Sequence, residues 1–382
     1  MFRKTAFPIL TLAITLMSAT QSHGAPQPTT EKEYFVYVGV YGKGVYAYRY
    51  SPPEAKFEPL GLVGEVTNPS FLATDRENKF LYAVSELEGS VDGGVYAFAI
   101  DRATGKLKPL NHLSSAGVAP CHLAVDHTSK MLAVANYTSG GVSAFPIERD
   151  GHLGAMSALM TAQGSSVDPK RQEGPHAHET VFSADNRFLY VPDLGLDHIR
   201  IYKVDAPQAK LAPSAPPFVQ EEPGSGPRHI AFSADGKHAY VVNELKSVVY
   251  VFNHDAASGG LQQVQTVSTL PAGFTGENAP AEVLIDRSGR FLYASNRGPG
   301  TIAVFAIDPA SGTLKQLQVA ATGGTFPRGV EIDPTGRFLL AGDQKADQFV
   351  VFKIDPNNGQ LSLTGKVFNV PSPVAFLFVP VK

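Results

Sequence analysis

Short apolar runs alternate with polar turns along most of this chain, and the alternation itself recurs at a regular spacing. The stretch GPRHIAFSADGKHAYVVNE, residues 226–244, holds two apolar runs on either side of a polar turn at Asp235 and Gly236. Two such runs joined by an Asp-Gly turn predict a β-hairpin. No stretch has a convincing helical period of apolar positions, so the pattern indicates an all-β fold.

Related hairpins occur seven times, counting a truncated last copy, and they begin 46 to 57 residues apart. Their starts are Pro69, Pro120, Ala177, Pro227, Pro280, Pro327 and Pro373. Most copies continue with a third apolar run, a Gly-containing turn and a fourth run, as in SVVYVFNHD followed by SGGLQQVQTV. Four antiparallel strands in each unit of about 50 residues predict a seven-bladed β-propeller with four-stranded blades.

The two ends of the repeat complete each other. The copy at Pro373 stops after one strand, whereas YFVYVGVYGKGVYAYRY, from Tyr34, and KFEPLGLVG match the second, third and fourth strands. We therefore expect the C-terminal strand to pair with the N-terminal strands and close the ring of a single domain, residues 34–382. A solenoid is the alternative, but its terminal repeats are expected to be atypical caps.

The first residues have the pattern of an export signal. Arg3 and Lys4 precede an apolar run from Ala6 to Met17, and small or polar residues follow as far as Gly24. This predicts a secretory signal peptide over residues 1–24, a flexible segment over 25–33, and a periplasmic or secreted protein. A membrane anchor is the alternative, although the apolar run is too short to span a bilayer.

The composition of the chain limits the kinds of partner that we expect. The formal net charge is −3 and the charges are interspersed, so the sequence has no basic cluster of the kind that binds nucleic acid or a membrane surface. Cys121 is the one cysteine, so no intrachain disulfide can form. A small molecule is the expected partner, and a monomer is the simplest expectation.

Hairpin geometry brings two sets of residues to one end of every blade. The start of the first strand and the end of the second lie opposite the Asp-Gly turn, so these ends meet at one mouth of the central channel. The first set is Ser70, Cys121, His178, Arg228, Ala281, Arg328 and Val374. The second set is Ser85 with Glu86, Asn136 with Tyr137, Asp193 with Leu194, Asn243 with Glu244, Asn296 with Arg297, and Asp343 with Gln344.

Residues that break the repeat require a reason other than the folding of a blade. The turn Asp and the Phe-Leu-Tyr run recur from copy to copy, so folding explains them. The mouth residues that depart from the repeat are Arg228, Arg297, Arg328, Glu244, His178 and His122. Because guanidinium groups bind carboxylate or phosphate through paired hydrogen bonds, three arginines at one mouth predict an anionic ligand.

Some of these residues also have a purely structural interpretation. Arg228 and Glu244 could pair only to tie the end of one blade. His176 and His178 could be a metal pair, but no Cys or carboxylate stands at a matching spacing. We therefore expect a metal-free site without a cofactor.

Two other histidines are expected to point away from the mouth, because side chains alternate between the two faces of a strand. His122 and His229 each follow a mouth position by one residue, so they are expected to point the opposite way and to pack between blades. His122 is still kept as a candidate substrate contact. Cys121 is interpreted as a small buried apolar residue rather than a nucleophile.

Several motifs occur in one order between residues 174 and 340: GPHAH, FLYVPDLGLDHI, GPRHIAF, YVVNEL, FLYASNRG and FPRGVEIDPTGRFLL. With these motifs the chain resembles, over residues 34–380, the propeller-type lactonase family, which includes 6-phosphogluconolactonases and fungal carboxy-cis,cis-muconate cyclases. The resemblance implies a seven-bladed propeller with lactone chemistry at the channel mouth. By motif, the residues assigned to the active site of the fungal relatives fall on His178 or His176, Arg228, Glu244 and Arg297.

We therefore predict metal-independent hydrolysis of a carboxylated or phosphorylated lactone. His178, or Glu244 in its place, is expected to deprotonate a water molecule. Arg228 and Arg297 are expected to stabilise the oxyanion, and Arg328 to hold the acidic group of the substrate. Further substrate contacts are expected from the remaining polar mouth residues: His176, Asp193, Asn243, Asn296 and His122.

Two other functions stay open on the sequence. One is a cycloisomerase that runs related lactone chemistry in reverse, and the other is a non-catalytic propeller that acts as a binding module. The chain contains no Trp, which argues against a WD-repeat protein. Export would also keep the protein away from cytosolic phosphosugar lactones, which favours another lactone as substrate.

Overall fold

The predicted hairpins are present, and each belongs to a four-stranded antiparallel sheet. The structure is a computed structural model that describes residues 1–2, 32–89 and 93–382. Regular structure in these residues consists of strands and two short 3-10 helices, Pro52–Glu54 and Ala206–Gln208. The strands are β1 (Tyr34–Val40), β2 (Lys43–Ser51), β3 (Lys56–Thr67), β4 (Leu72–Thr74), β5 (Phe80–Ser85), β6 (Gly94–Ile100), β7 (Leu107–Ser114), β8 (Pro120–Val125), β9 (Met131–Asn136), β10 (Val142–Pro146), β11 (Ala158–Met160), β12 (Val181–Phe182), β13 (Phe188–Asp193), β14 (His198–Asp205), β15 (Lys210–Gln220), β16 (Pro227–Phe232), β17 (His238–Asn243), β18 (Val248–Asp255), β19 (Gly260–Ser268), β20 (Ala279–Ile285), β21 (Phe291–Arg297), β22 (Thr301–Ile307), β23 (Leu314–Ala321), β24 (Pro327–Ile332), β25 (Phe338–Asp343), β26 (Gln348–Ile354), β27 (Leu361–Asn369) and β28 (Pro373–Pro380).

The sheets are the blades of a propeller, numbered here from the N-terminus. Blade 1 has the strand order β28-β1-β2-β3. Blades 2 to 7 are formed by β4 to β7, β8 to β11, β12 to β15, β16 to β19, β20 to β23 and β24 to β27. The predicted all-β, seven-bladed propeller with four-stranded blades is confirmed.

The C-terminal strand closes the ring. β28 pairs antiparallel with β1 along seven residue pairs. Blade 1 also packs on blade 7, where the Phe349 ring lies 5.4 Å from both the Phe57 and the Phe376 rings. A solenoid has free ends, so this closure excludes it.

The Phe-Leu-Tyr run joins neighbouring blades. In five places the Tyr hydroxyl donates to a Gly carbonyl in the outer turn of the next blade, and the ring two residues earlier packs on that glycine. The pairs are Tyr37 with Gly105, Tyr82 with Gly151, Tyr190 with Gly259, Tyr240 with Gly312 and Tyr293 with Gly359, at 2.9 to 3.1 Å. Gly359 has a φ of 73°, and a Cβ there would lie 2.4 Å from the Phe291 ring, so a side chain does not fit.

In blades 2, 3, 6 and 7 the Asp of the polar turn accepts the backbone hydrogen bonds that close the hairpin turn. Asp333 Oδ1 accepts backbone hydrogen bonds from Arg337 and Phe338, both at 2.8 Å. Asp286 does the same one blade earlier. These bonds close the turn at the end of the blade away from the mouth, as Asx turns do.

A β-bulge interrupts the first strand of several blades at its mouth end. In blade 5 the register shifts between Pro227 and His229, so Arg228 has no partner across β17. Cys121 in blade 3 and Arg328 in blade 7 are displaced in the same way. Because a bulge re-aims side chains, simple alternation between the two faces of the strand fails here.

The N-terminal predictions fall largely outside the described residues. Of the signal peptide predicted over 1–24 only Met1 and Phe2 are described, and of the segment 25–33 only Lys32 and Glu33. Residues 32–382 form one compact unit. A search of the described part of the chain finds no helix with the length and apolar character needed to cross a membrane.

Ring closure predicts a large effect of a small truncation. Removal of residues 373–382 would expose the edge of β1 and uncover both flanking cores. Because unfolding free energies are only about 5–15 kcal/mol, we expect this variant to lose its cooperative thermal transition by circular dichroism. A variant that lacks only Val381 and Lys382 keeps β28 and is the control. A truncated protein that melted like the parent would show that the ring does not depend on β28.

Candidate active site

A pocket of 170 Å³ opens at the predicted mouth, and every blade contributes to its wall. The lining residues are Tyr41, Glu86, Glu88, Tyr137, Arg171, His178, Glu244, Arg297 and Arg328. Tyr41, Glu86, Tyr137, Glu244 and Arg297 end or follow the second strand of their blades, and His178 and Arg328 stand at the start of the first strand. Only Glu88 and Arg171 in this wall lie outside those two repeat positions.

Glu244 is the centre of a buried ion cluster. Its Oε1 accepts a hydrogen bond from Arg171 Nη2 at 2.6 Å, and its Oε2 accepts one from Arg297 Nη2 at 2.6 Å. Arg228 Nε lies 3.1 Å from the same Oε2, although its N–H is not aligned for a hydrogen bond. The predicted pairing of Arg228 with Glu244 is therefore part of a larger cluster of one carboxylate and three guanidinium groups.

This cluster decides the charge state of the carboxylate. Burial alone would raise the pKa of Glu244, but the positive charges of Arg297, Arg228 and Arg171 outweigh burial and hold that pKa well below its usual range. Glu244 is therefore ionised at neutral pH. It acts as a fixed anion that orders the three arginines.

His178 lies in the same wall in a different environment. Burial, followed by the nearby charge of Arg228, lowers its pKa well below the ordinary value, so the ring is neutral at neutral pH. Its Nδ1 is 4.0 Å from Cys121 Sγ, and burial raises the pKa of that thiol. This setting agrees with the interpretation of Cys121 as a buried apolar residue.

His176 packs behind the pocket wall. Its ring stacks on Tyr137 with centroids 4.7 Å apart, its Nδ1 lies 3.0 Å from the Tyr137 carbonyl oxygen, and its Nε2 is 3.2 Å from Glu173. Of the two histidines in GPHAH, only His178 lines the pocket.

Arg328 faces the pocket from blade 7. Its Nη2 donates to the Tyr41 hydroxyl at 3.0 Å, and its guanidinium lies 5.1 Å from the centre of the Tyr41 ring. Glu86 Oε2 is 3.8 Å away. Its hydrogen bond to Tyr41 uses Nη2, and within the described residues Nε and Nη1 have no hydrogen-bond partner, so they are available to a ligand.

Below the pocket, rings from four blades meet in the channel. The His122 ring lies 3.7 Å from Phe71 and 5.4 Å from His229, which in turn is 5.3 Å from His178. Blades 3 and 5 are not neighbours, so His122 and His229 can meet only inside the channel. The expectation that these two histidines pack between blades was wrong, because the bulges at Cys121 and Arg228 turn the following residue inward.

A second cavity, of 320 Å³, lies on the far side of these rings. Three of its lining residues are glutamates from blades 4, 6 and 7: Glu179, Glu282 and Glu331. Burial raises the pKa of Glu282 to about 7 and, with help from the charge of Glu282, that of Glu331 to about 8. None of the three was predicted from the sequence, although Glu282 and Glu331 are charged residues within apolar runs.

Three predicted substrate contacts are placed elsewhere. Asp193, Asn243 and Asn296 are fully buried and lie outside the pocket wall. Asp193 accepts the backbone N–H of His176 at 2.7 Å, and Asn296 donates to the Thr269 carbonyl at 2.8 Å. These bonds of Asp193 and Asn296 tie strand ends to the neighbouring loops, whereas Asn243 donates to Val241 O in its own strand, at 3.2 Å.

Other lining residues were not predicted. Tyr137 and Glu86 stand at a repeat position noted in the sequence, and Tyr41 is its equivalent in blade 1. Arg171 lies in the irregular connection between β11 and β12, where no repeat could indicate it. In the described part of the chain, no group of three or more His, Cys, Asp or Glu side chains is arranged to hold a metal ion.

The ion cluster predicts a strong effect of Glu244→Gln. Loss of the carboxylate charge would leave Arg228 and Arg297 buried without a counter-ion, and breaking a buried pair costs about 3–5 kcal/mol. We expect a matching fall in the free energy of unfolding, measured by urea denaturation. Glu88→Gln, an exposed residue of the same wall, is the control and should change stability by less than about 0.5 kcal/mol. Equal stabilities of the two variants would contradict the assignment.

The deep glutamates predict a pH dependence of stability. In the unfolded chain a Glu carboxyl loses its proton near pH 4.5, whereas folded Glu331 keeps it to about pH 8. The folded state thus binds more protons between these pH values, so the free energy of unfolding falls as pH rises through this window. We expect the Tm of Glu331→Gln to exceed that of the parent by a margin that grows from pH 5 to pH 9.

The control for this pH series is Glu65→Gln, on an exposed site of β3. Its Tm should follow that of the parent at every pH. A constant difference between Glu331→Gln and the parent would mean that Glu331 does not hold a proton in the folded state.

Comparisons with known proteins agree with this architecture. The family model described as "Lactonase, 7-bladed beta-propeller" matches residues 35–378. A 6-phosphogluconolactonase of Bacillus subtilis strain 168 is 35% identical over 287 residues, which cover 74% of this chain and 80% of that protein. A 6-phosphogluconolactonase of Formosa agariphila is 34% identical over 278 residues, 72% of this chain and 78% of that protein.

A solved structure extends the comparison. The periplasmic gluconolactonase of Pseudomonas aeruginosa is 34% identical, with a TM-score of 0.87 over 92% of this chain and all of that chain. The match thus covers the entire ring of blades rather than a shared segment. With its closed ring of seven four-stranded blades, this chain belongs to the seven-bladed β-propeller lactonase family.

Proposed function

We propose that this protein hydrolyses a sugar-acid or phosphosugar lactone in the mouth pocket. One observation carries the proposal: a neutral His178 shares the pocket wall with Arg328 and with two of the arginines that Glu244 holds, Arg171 and Arg297. The reaction class is supported by the relatives that are named 6-phosphogluconolactonase and gluconolactonase.

The contacts favour His178 over Glu244 as the base. Both groups are weak bases, because nearby arginines lower the pKa of Glu244, and burial together with nearby arginines lowers that of His178. Both Glu244 oxygens are engaged by guanidinium groups, whereas the neutral His178 ring lines the pocket with a nitrogen able to accept a proton. In the proposed step His178 takes a proton from water, and the water oxygen bonds to the lactone carbonyl carbon. When the tetrahedral intermediate collapses, the ring C–O bond breaks and the imidazolium returns the proton to the leaving ring oxygen. The product is a hydroxy acid.

The contacts also favour a division of the arginines that differs from the sequence-based expectation. Arg297 donates to a main-chain carbonyl as well as to Glu244. Arg228 donates to the main-chain carbonyl of Ala281 and does not line the pocket. Arg328 retains Nε and Nη1 for a ligand. We therefore assign the stabilisation of the oxyanion to Arg328, a role that pre-organised donors perform in acyl transfer.

We further propose that the protein acts outside the cytoplasm. The pattern over residues 1–24 supports export, and one relative of known structure is periplasmic by its name. Fractionation of cells that express the full chain, with N-terminal sequencing of the purified protein, tests this. A mature N-terminus at Met1 in the cytosolic fraction would overturn it.

The test of function is a pH-stat screen of the purified protein against sugar, phosphosugar and muconate-derived lactones. We expect turnover of at least one lactone and a fall in kcat of about 100-fold or more for His178→Ala, because a general base contributes about that much. His152→Ala, in an outer turn of blade 3, is the matched control and should keep its activity.

Three other outcomes of this screen would each contradict part of the proposal. Full activity of His178→Ala would remove this residue from the mechanism. Loss of absorbance of an unsaturated dicarboxylate, without hydrolysis of any lactone, would indicate a cycloisomerase. Binding without turnover of any compound would indicate a non-catalytic propeller.

A further inference from the structure

Arg171 is the one arginine of the pocket wall that does not come from a blade. It lies in the connection between β11 and β12, and its Nη2 reaches Glu244 at 2.6 Å and the Tyr137 hydroxyl at 3.3 Å. Its side chain is 40% exposed, whereas those of Arg228 and Arg297 are 2% and 7% exposed. Arg171 therefore stands at the rim, and the other two lie deeper.

The segment that carries Arg171, residues 166–172, is held in place from below and is called the mouth arm here. The turn closes through Gln172 N to Asp168 O at 2.8 Å. The fully buried Gln172 side chain donates to Leu194 O at 2.9 Å and to Asp197 Oδ1 at 2.8 Å. Arg171 thus projects from an anchored turn rather than from a free loop.

Asp197 links the mouth arm to the ion cluster. The same Oδ1 that accepts from Gln172 also accepts the backbone N–H of Gly226 at 2.7 Å, two residues before Arg228. One buried carboxylate therefore sets the position of the arm relative to the strand that carries Arg228. Such anchoring lowers the entropic cost of holding a long side chain at a binding site.

Arg171 has donors left for a ligand. Both of its hydrogen bonds use Nη2, and among the residues that the structure describes Nε and Nη1 have no hydrogen-bond partner. The wall and the cluster together hold four arginines, Arg171, Arg228, Arg297 and Arg328, against three glutamates, Glu86, Glu88 and Glu244. An anion at the rim therefore meets a net positive charge. The planar guanidinium fork matches the oxygens of phosphate and carboxylate.

We propose that Arg171 is a specificity-determining residue, which binds an acidic substituent of the substrate, a phosphate or carboxylate, at the rim of the pocket. The proposal rests on the proposed lactone hydrolysis. The lactone carbonyl lies toward His178 and Arg328, and the acidic substituent extends outward to the mouth arm. A lactone that carries such a group is therefore preferred to its neutral counterpart.

The test compares three substrates: a hexonic-acid lactone, the same lactone phosphorylated on its exocyclic hydroxyl, and one that carries a carboxylate there. For Arg171→Met we expect kcat/KM for the acidic lactones to fall about 10- to 100-fold relative to the neutral lactone, mainly through KM. That range corresponds to the loss of one charge-assisted hydrogen bond. The larger loss between the phosphate and the carboxylate identifies the preferred group.

Two further variants isolate the role of the arm. Lys170→Met removes a positive charge from the adjacent exposed position and should leave the selectivity within about twofold of the parent. Gln172→Ala removes the anchor and should lower the selectivity as Arg171→Met does, in a protein that still melts cooperatively. Equal losses for neutral and acidic lactones in Arg171→Met, or no change in their ratio, would overturn the proposal.

A binding titration separates this proposal from the proposed function. Calorimetry with the phosphorylated and unphosphorylated hydroxy acids needs no turnover. Tighter binding of the phosphorylated acid by the parent, lost in Arg171→Met and kept in Lys170→Met, supports the anion site even if no lactone is hydrolysed. Equal affinities for the two acids in the parent would overturn it even if lactones are hydrolysed.

Discussion

The fold depends on how each blade packs against the next. Every hydrophobic cluster found in the described residues is shared by two adjacent blades, so no blade has a core of its own. The Tyr hydroxyl that reaches a Gly carbonyl in the next blade satisfies a buried polar group on each side of the interface. The ring two residues before that Tyr fills the space that a glycine without Cβ leaves. Stability is therefore a property of the closed ring.

The candidate active site also depends on the packing of each blade against the next. Its wall takes at least one residue from each blade, and the carboxylate of Glu244 joins arginines of blades 5 and 6 to the mouth arm. Bulges at the first strands of several blades turn a second side chain inward, so the channel holds both the charged wall and the rings beneath it. A charged pocket above a layer of rings suits the capture of a small polar molecule.

The sequence was informative where the repeat was regular. Hairpins, blade number and ring closure followed from apolar periodicity and from the split terminal copy, and seven of the nine lining residues stand at the two repeat positions at the mouth. Predictions from the sequence failed where the local geometry departed from the repeat. A bulge reversed the expected direction of His229, and the irregular connection before β12 gave no signal for Arg171. Asp193 and Asn296 are polar at the mouth because strand ends need hydrogen-bond partners.

The sequence by itself determined the architecture. Apolar alternation and turn residues specify each hairpin locally, and the regular repeat of the hairpins shows the number of blades. The sequence also marked several charged residues that break the repeat, Glu244 among them, as needing a reason beyond folding. The tertiary structure alone decided which charged residues meet: Arg171 and Glu244 are 73 residues apart in the chain but 2.6 Å apart in space. That meeting depends on ring closure and on the buried anchor at Asp197, and neither has a local sequence pattern, because both are set by packing between distant segments.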